Sequence, residues 1–153
     1  MRIAYFTDGY RIGGAERFLA DLAAGVRSAG HEVVVMSPQR EILELVGDTA
    51  PTAELIRTRV DYSAARTRRT QVAALLRGAP ELRGVIARTR PDILHVNNGG
   101  HPGSDLNRLA AIMARFAGAP KCVLTIQAPA SPRNLSQPHL MALSDRLTWR
   151  SVD

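Results

Sequence analysis

Residues 2–36 have the sequence RIAYFTDGYRIGGAERFLADLAAGVRSAGHEVVVM, which contains the clearest secondary-structure pattern of the chain. Residues 2–7 form a short, mostly apolar run rich in residues that favour strands. Apolar residues then recur at helical spacing over about 15–29. The continuous apolar run at 33–36 is typical of a parallel strand covered on both faces. Together the three segments predict a βαβ unit.

The rest of the chain continues this alternation. A short helix at 41–46 and a strand at 54–58 are predicted from weaker patterns. Helical spacing over 70–86 contains Gly78 and Pro80, which predict either two helices or one kinked helix. Clearer elements follow as a strand at 93–96, a helix at 105–116, a strand at 121–126 and a helix at 138–150. The pattern predicts an α/β, Rossmann-like three-layer sandwich with a mainly parallel sheet. Because the chain stops where another strand is due, we expect the domain to lack its last strand or strands.

Length and composition indicate one soluble domain. The chain has 153 residues, of which 45% are hydrophobic and 22% charged, an ordinary globular composition. We find no apolar run of bilayer length and no secretory signal, so a cytoplasmic location is expected. A single cysteine, Cys122, excludes an internal disulfide and has no partners at metal-ligand spacing, so no metal is expected.

The positive charge is concentrated in one segment. Nineteen of the twenty basic residues are arginine, and nine of these arginines lie between Arg57 and Arg90 against two acidic residues. Phosphate groups, an anionic membrane surface and nucleic acid are the candidate partners. A solvated helix face is the favoured alternative. No nucleic acid is expected, because no recognition motif accompanies the charge and aromatic residues are few.

The loop at residues 8–14 is the first candidate site. It joins the first strand to the start of a helix, where free N–H groups and the helix dipole favour anions. Gly13 and Gly14 would let a ligand approach the backbone, although a simple tight turn is an equal alternative. Glu16, in the first helical turn, is expected to complement the dipole.

Two further loops follow later strands at the same predicted edge of the sheet. Asn97, Asn98 and His101 carry groups that can bond sugar hydroxyls or phosphates, with a turn-forming Asn-Gly pair as the alternative. His95, inside its strand, is expected to be bonded within the core. Gln127 ends an apolar strand and is therefore held rigidly.

Several familiar motifs are missing from the sequence. The glycines of the first loop do not have the G-x-G-x-x-G spacing, and no G-x-x-x-x-G-K-[ST] or G-x-S-x-G sequence occurs. NAD binding, P-loop nucleotide hydrolysis and serine hydrolase chemistry are therefore disfavoured, and no cofactor is expected.

Five segments in order carry a family resemblance. They are MRIAYFT at 1–7, GGAER at 13–17, AGHEV at 29–33, RPDILHV at 90–96 and VLTI at 123–126. In this pattern, which covers almost the whole chain, the sequence resembles the N-terminal domain of family 4 retaining glycosyltransferases of the GT-B fold. The GGAER run is its most specific part.

The resemblance implies one half of a two-domain enzyme. Such enzymes bind the acceptor mainly in the N-terminal domain, whereas the C-terminal domain holds the nucleotide sugar and supplies a paired-glutamate motif. Residues 1–153 would then be a single acceptor-side domain without its donor domain, inactive alone. Gly13 and Gly14 would lie beside the donor diphosphate and stabilise charge through their N–H groups without a metal.

The same resemblance assigns the other polar residues to the acceptor. Asn97, Asn98, His101 and Gln127 are the predicted acceptor-binding residues. The family places histidine at the position of Gln127, and a glutamine bonds hydroxyls but exchanges no proton near neutral pH. Altered sugar selectivity and loss of activity both stay open, and the alternative function is a non-catalytic module that binds carbohydrate or anionic ligands. By analogy with relatives that work at membranes, the arginines of 57–90 could meet the inner membrane face.

Overall fold

The computed structural model describes residues 1–9, 11–60, 67–100, 104–128 and 138–153. Strands and helices alternate along them. The strands are β1 (Arg2–Phe6), β2 (Glu32–Ser37), β3 (Glu54–Arg57), β4 (Ile93–Asn98) and β5 (Lys121–Ile126). The helices are α1 (Gly14–Ser28), α2 (Arg40–Thr49), α3 (Arg68–Thr89), α4 (Asp105–Ala117) and α5 (Pro138–Trp149).

The five strands form one parallel sheet in the order β3-β2-β1-β4-β5. From β1 the chain moves outward through β2 and β3, and it then returns to place β4 on the other side of β1. The strand order therefore reverses between β1 and β4. In open parallel sheets, the carboxyl ends of the strands at such a reversal bound the ligand-binding crevice.

Apolar side chains cover both faces of the sheet. On one face Phe6 packs in a cluster with Leu82 of α3 and Leu106 of α4. On the other face Tyr5 packs with Leu19 of α1 and other side chains of α1, α2 and β2. Neighbouring residues of β1 thus point to opposite cores, which is why this strand is apolar throughout. The predicted α/β, Rossmann-like three-layer architecture is confirmed.

The structure has a single helix, α3, over residues 70–86, where two helices were one of the predicted alternatives. α3 begins after Thr67, whose hydroxyl accepts a hydrogen bond from the N–H of Thr70, and it continues through Pro80. Proline removes one helical N–H donor, yet Leu82 and Ile86 are fully buried beyond it. Tertiary packing therefore holds the second half of the helix, and the two-helix alternative is wrong. The weaker predictions of a helix at 41–46 and a strand at 54–58 are confirmed as α2 and β3.

Candidate functional site

The carboxyl ends of β1, β4 and β5 bring most of the predicted site residues to one edge of the sheet. Asn98 pairs in register with Ile126, so Gln127 lies just beyond the same edge. The side-chain Nδ2 of Asn97 donates to the backbone oxygen of Ala15 at 3.0 Å, which brings the first turn of α1 to this edge as well. His101 lies outside the described residues.

Gly13 and Gly14, here called the glycine bend, have ordinary backbone angles. Gly13 is extended, with φ of −130° and ψ of −161°, and Gly14 is the first residue of α1. Positive φ occurs instead at Gly30 and Gly118, which end helices. A Cβ on Gly14 would meet no heavy atom of the described residues within 4 Å. Neither backbone strain nor packing among the described residues therefore requires glycine at position 14, and in that part of the chain nothing covers its backbone on the side of the missing Cβ.

Glu16 occupies part of the space beside the glycine bend. Its buried carboxylate accepts a hydrogen bond from the N–H of Gly13 at 2.9 Å, and it packs so closely on Gly9 that a Cβ there would overlap it. Glu16 thus caps the start of α1, as expected for an acidic residue in a first turn. The N–H groups of Gly14 and Ala15, which come next, have no acceptor within the helix. These are the groups that can meet an anion.

A buried carboxyl group lies directly after β1. Asp8 is 4% exposed and accepts a hydrogen bond from the hydroxyl of Ser104. Burial raises the pKa of Asp8 to about 6, and the Ser104 hydrogen bond acts in the opposite direction. The Ser104 oxygen also accepts from the N–H groups of Leu106 and Asn107 and so caps α4. The pair ties the end of β1 to the start of α4.

Asn107, inside α4, joins the same group of polar side chains. Its Nδ2 donates to the backbone oxygen of Asn97 at 3.2 Å and to the side-chain oxygen of Asn98 at 3.4 Å. Sequence reasoning missed Asn107 and Ser104 as site residues, and it gave Asp8 no role beyond its place in the candidate loop at 8–14. A signal for Ser104 was present, because serine just before an apolar helical pattern marks an N-cap. Asn107 lies on the apolar face of α4, where only the fold shows its partners.

The predicted acceptor-binding residues differ in exposure. The side chains of Asn97 and Asn98 are 1% and 3% exposed, and both are bonded inside the protein. Gln127 is half-buried, and its Nε2 donates to Oδ1 of Asn97 at 2.6 Å. Gln127 is thus the one of the three whose side chain is open to a ligand. Acceptor binding by these residues stays a prediction.

His95 is bonded within the sheet, as expected. Its Nε2 shares a hydrogen bond with the hydroxyl of Thr125, and its ring lies 5.2 Å from that of Tyr5 between centroids. Burial lowers the pKa of His95. The imidazole is therefore neutral near pH 7 and serves the packing of β4 and β5.

The arginines between residues 57 and 90 are exposed wherever their side chains are described. Several bond backbone oxygens nearby, as Arg83 Nε does with the oxygen of Phe116 at 3.0 Å. The first half of α3 also exposes two apolar side chains, Val72 and Leu76, and Leu76 is 72% exposed. In the described part of the chain, no helix is long and apolar enough to cross a membrane.

Comparison with known proteins identifies a family and a set of similar folds. The sequence model of Glycosyltransferase Family 4 matches residues 12–152. No curated protein sequence matches the chain significantly.

Solved structures with similar folds are longer proteins of low sequence identity. The UDP-GlcNAc 2-epimerase of Neisseria meningitidis, solved with UDP-GlcNAc bound, superposes on 99% of this chain with a TM-score of 0.63 at 15% identity. Another UDP-N-acetylglucosamine 2-epimerase gives 0.64 at 16% identity over 100% of the chain. The glycosyltransferase VinC, in complex with dTDP, gives 0.52 at 18% identity over 97% of it. This chain spans 38% to 40% of the length of such structures.

Proposed function

The chain belongs to Glycosyltransferase Family 4, and from this membership we propose that it is the N-terminal, acceptor-binding half of an enzyme that transfers a sugar from a nucleotide-sugar donor to an acceptor. The binding site for the donor would lie mainly in a second domain that the 153 residues do not include. The observation that carries the proposal is the open backbone of Gly14, in the first turn of α1, at the edge where the strand order reverses.

In the proposed reaction, the first turn of α1 stabilises the leaving nucleotide. Negative charge develops on the diphosphate as its bond to the sugar breaks. The N–H groups of Gly14 and Ala15, together with the helix dipole, face that charge without rearranging. This contribution needs no metal. Two of the similar folds support a nucleoside diphosphate as the ligand class, since they were solved with UDP-GlcNAc and dTDP.

Substitution of Gly14 tests the proposal. A methyl group at position 14 meets no described atom, so Gly14→Ala should leave the fold intact while it blocks the approach of a diphosphate. We expect the affinity for UDP and for pyrophosphate to fall about tenfold, because a steric block costs about 1 to 3 kcal/mol.

Gly25→Ala is the matched control, because Gly25 also lies in α1 with open space at its Cβ. Both changes should keep or raise the free energy of unfolding, since alanine favours helix over glycine by about 1 kcal/mol. Titration calorimetry or amide chemical shifts report the binding. Equal affinities of the Gly14→Ala and Gly25→Ala variants would contradict the diphosphate site.

Sugar transfer separates the proposed enzyme from the alternative, a module that binds carbohydrate or anionic ligands without turnover. Gln127 favours that alternative, because its amide cannot exchange a proton where the family has histidine. The isolated 153 residues should transfer no sugar from UDP-GlcNAc, and turnover by them would contradict a separate donor domain. Transfer by a longer protein containing this chain would eliminate the binding module.

A membrane-bound acceptor is the partner proposed for the exposed start of α3. Val72 and Leu76 lie among the arginines of 57–90, an arrangement that suits the surface of an anionic bilayer from the cytoplasmic side. Leu76→Glu should weaken cosedimentation with vesicles containing phosphatidylserine, whereas Leu143→Glu, a change at another exposed leucine on α5, should not. Equal binding by both variants would leave α3 as a solvated face.

A further inference from the structure

Two side-chain amides form a chain of hydrogen bonds that ends on a backbone oxygen. Nε2 of Gln127 lies 2.6 Å from Oδ1 of Asn97, and Nδ2 of Asn97 lies 3.0 Å from the oxygen of Ala15. A backbone carbonyl can only accept, so Asn97 must turn its NH₂ group toward Ala15. Its oxygen then faces Gln127, which must donate. The orientation of both amides follows from one backbone atom.

Burial prevents these hydrogen bonds from reversing their direction. Asn97 is 1% exposed, so no bulk water can take over a lost partner. Turning its amide around would set its oxygen against the Ala15 oxygen and its NH₂ against that of Gln127, which leaves buried polar groups unpaired. The backbone N–H of Gln127 also donates to the oxygen of Asn98 at 3.1 Å, which fixes where its side chain begins.

We propose that Asn97 is a positioning residue that orients Gln127, so that Gln127 presents its carboxamide oxygen Oε1 to a hydrogen-bond donor on a bound sugar. The donor is a hydroxyl or an acetamido N–H, either of the nucleotide sugar or of the acceptor. The identity of the ligand rests on the proposed function, whereas the orientation of Gln127 does not.

This arrangement makes Gln127 selective for ligand groups that donate a hydrogen bond. An amide oxygen only accepts, so a sugar that offers a lone pair or a carboxylate at that point is disfavoured. An imidazole, which the family resemblance places at this position, can donate or accept according to its tautomer. Glutamine in place of histidine, with its amide orientation fixed by Asn97, thus limits this contact to accepting a hydrogen bond from the ligand.

The orientation can be tested without a ligand through Gln127→Glu. The new carboxylate would face Oδ1 of Asn97, which cannot donate, so the pKa of the introduced carboxyl should be raised above the ordinary range of glutamate. Gln39→Glu is the control, because Gln39 precedes α2 with its side chain free of any capping bond. Carbon-detected NMR titration reports both groups. Equal or lower pKa in Gln127→Glu than in Gln39→Glu would overturn the orientation.

A measurement on the unsubstituted chain covers the case in which Gln127→Glu does not fold. One of the two side-chain Nε2 protons of Gln127 should exchange with water more slowly than the other, because it is bonded to buried Asn97. The side-chain amide protons of Gln39 serve as the reference. Fast exchange of both Gln127 protons, at the rate found for Gln39, would overturn the proposal.

Three probes test the ligand and distinguish its source. We expect UDP-GlcNAc or N-acetylglucosamine to shift the Gln127 amide signals and UDP alone not to. A shift with UDP-GlcNAc only would assign the contact to the donor sugar, and a shift with N-acetylglucosamine alone would assign it to the acceptor. For the probe that binds, Gln127→Leu should weaken affinity about threefold to tenfold, the value of one hydrogen bond, with UDP unaffected.

Two outcomes contradict the ligand contact. Unchanged affinity of Gln127→Leu for both sugar probes would show that Oε1 accepts nothing from the sugar. Absence of binding of all three probes to the unsubstituted chain would overturn the diphosphate site of α1 together with the sugar contact, while the carboxyl titration would still decide the orientation of Gln127.

Discussion

The amino-terminal edge of the sheet carries charged side chains that are partly or largely exposed, whereas the carboxyl-terminal edge carries buried polar side chains bonded to one another. At the first edge Arg2 pairs with Glu32 at 2.8 Å and with Glu54, and all three side chains are at least 31% exposed. At the second edge Asp8 and Asn97 are almost fully buried.

The contrast shows where the fold accepts an energetic cost. Exposed ion pairs contribute little to stability, because water and salt screen the attraction between their charges. Buried polar groups are costly unless every partner is in place. A domain that needed only stability could fill the carboxyl-terminal edge with apolar side chains. Its polar network is therefore best explained by the ligand chemistry proposed for that edge.

The largest expected effect is at Asn97. Asn97→Leu would leave the oxygen of Ala15 and the Nε2 of Gln127 without their partner, so the free energy of unfolding should fall by about 3 kcal/mol. Urea denaturation measures the loss. Gln39→Leu, at a half-buried position without a side-chain capping bond, should change stability by less than about 0.5 kcal/mol. A loss below about 1 kcal/mol for Asn97→Leu would remove the contrast between the edges.

Asp8 should make stability depend on pH. Its pKa is about 6 in the folded chain and about 3.9 when unfolded, so the folded state binds the proton more tightly. The stabilisation is therefore complete below about pH 4 and is lost as the pH rises through about 6.

The measurement compares unfolding of the unsubstituted chain and of Asp8→Asn between pH 4 and pH 7. Stability of the unsubstituted chain relative to Asp8→Asn should fall by on the order of 2 kcal/mol over this range. Using the variant as reference cancels the opposite effect of His95, whose pKa is lowered. A difference that does not change with pH would mean that Asp8 is solvated.

The loss of stability on removing a helix cap should also differ between the buried edge and the exposed surface. Ser104→Ala removes the cap of α4 and the hydrogen bond to buried Asp8, so we expect a loss of about 2 kcal/mol. Thr67→Ala removes the exposed cap of α3 and should cost about 1 kcal/mol. Chemical denaturation of both variants gives the comparison, and equal losses would argue against a special role for the Asp8 contact.

The smallest effect is expected at the amino-terminal edge. Glu32→Gln breaks an ion pair whose carboxylate side chain is 66% exposed, and it should cost less than about 1 kcal/mol. The cost should shrink further in 0.5 M salt, because screening weakens exposed pairs. A loss equal to that of Asn97→Leu would show that both edges matter equally to stability.

Periodicity and glycine placement were enough to predict the alternating elements, the parallel sheet and the edge that gathers the site loops. They could not show whether residues 70–86 form one helix or two, because burial of Leu82 and Ile86 outweighs the local tendency of Pro80 to break a helix. The sequence also placed Asn97 and Gln127 in one site. It could not show that Asn97 is buried and serves Gln127, because that depends on a contact between residues 30 positions apart.

Binding of a diphosphate by the first turn of α1 can be measured by an NMR titration of the chain with UDP. The largest backbone amide shifts should occur at Gly14 and Ala15, with little change at the exposed arginines of α3. Shifts confined to α3, or no shift at the glycine bend at saturating UDP, would contradict it.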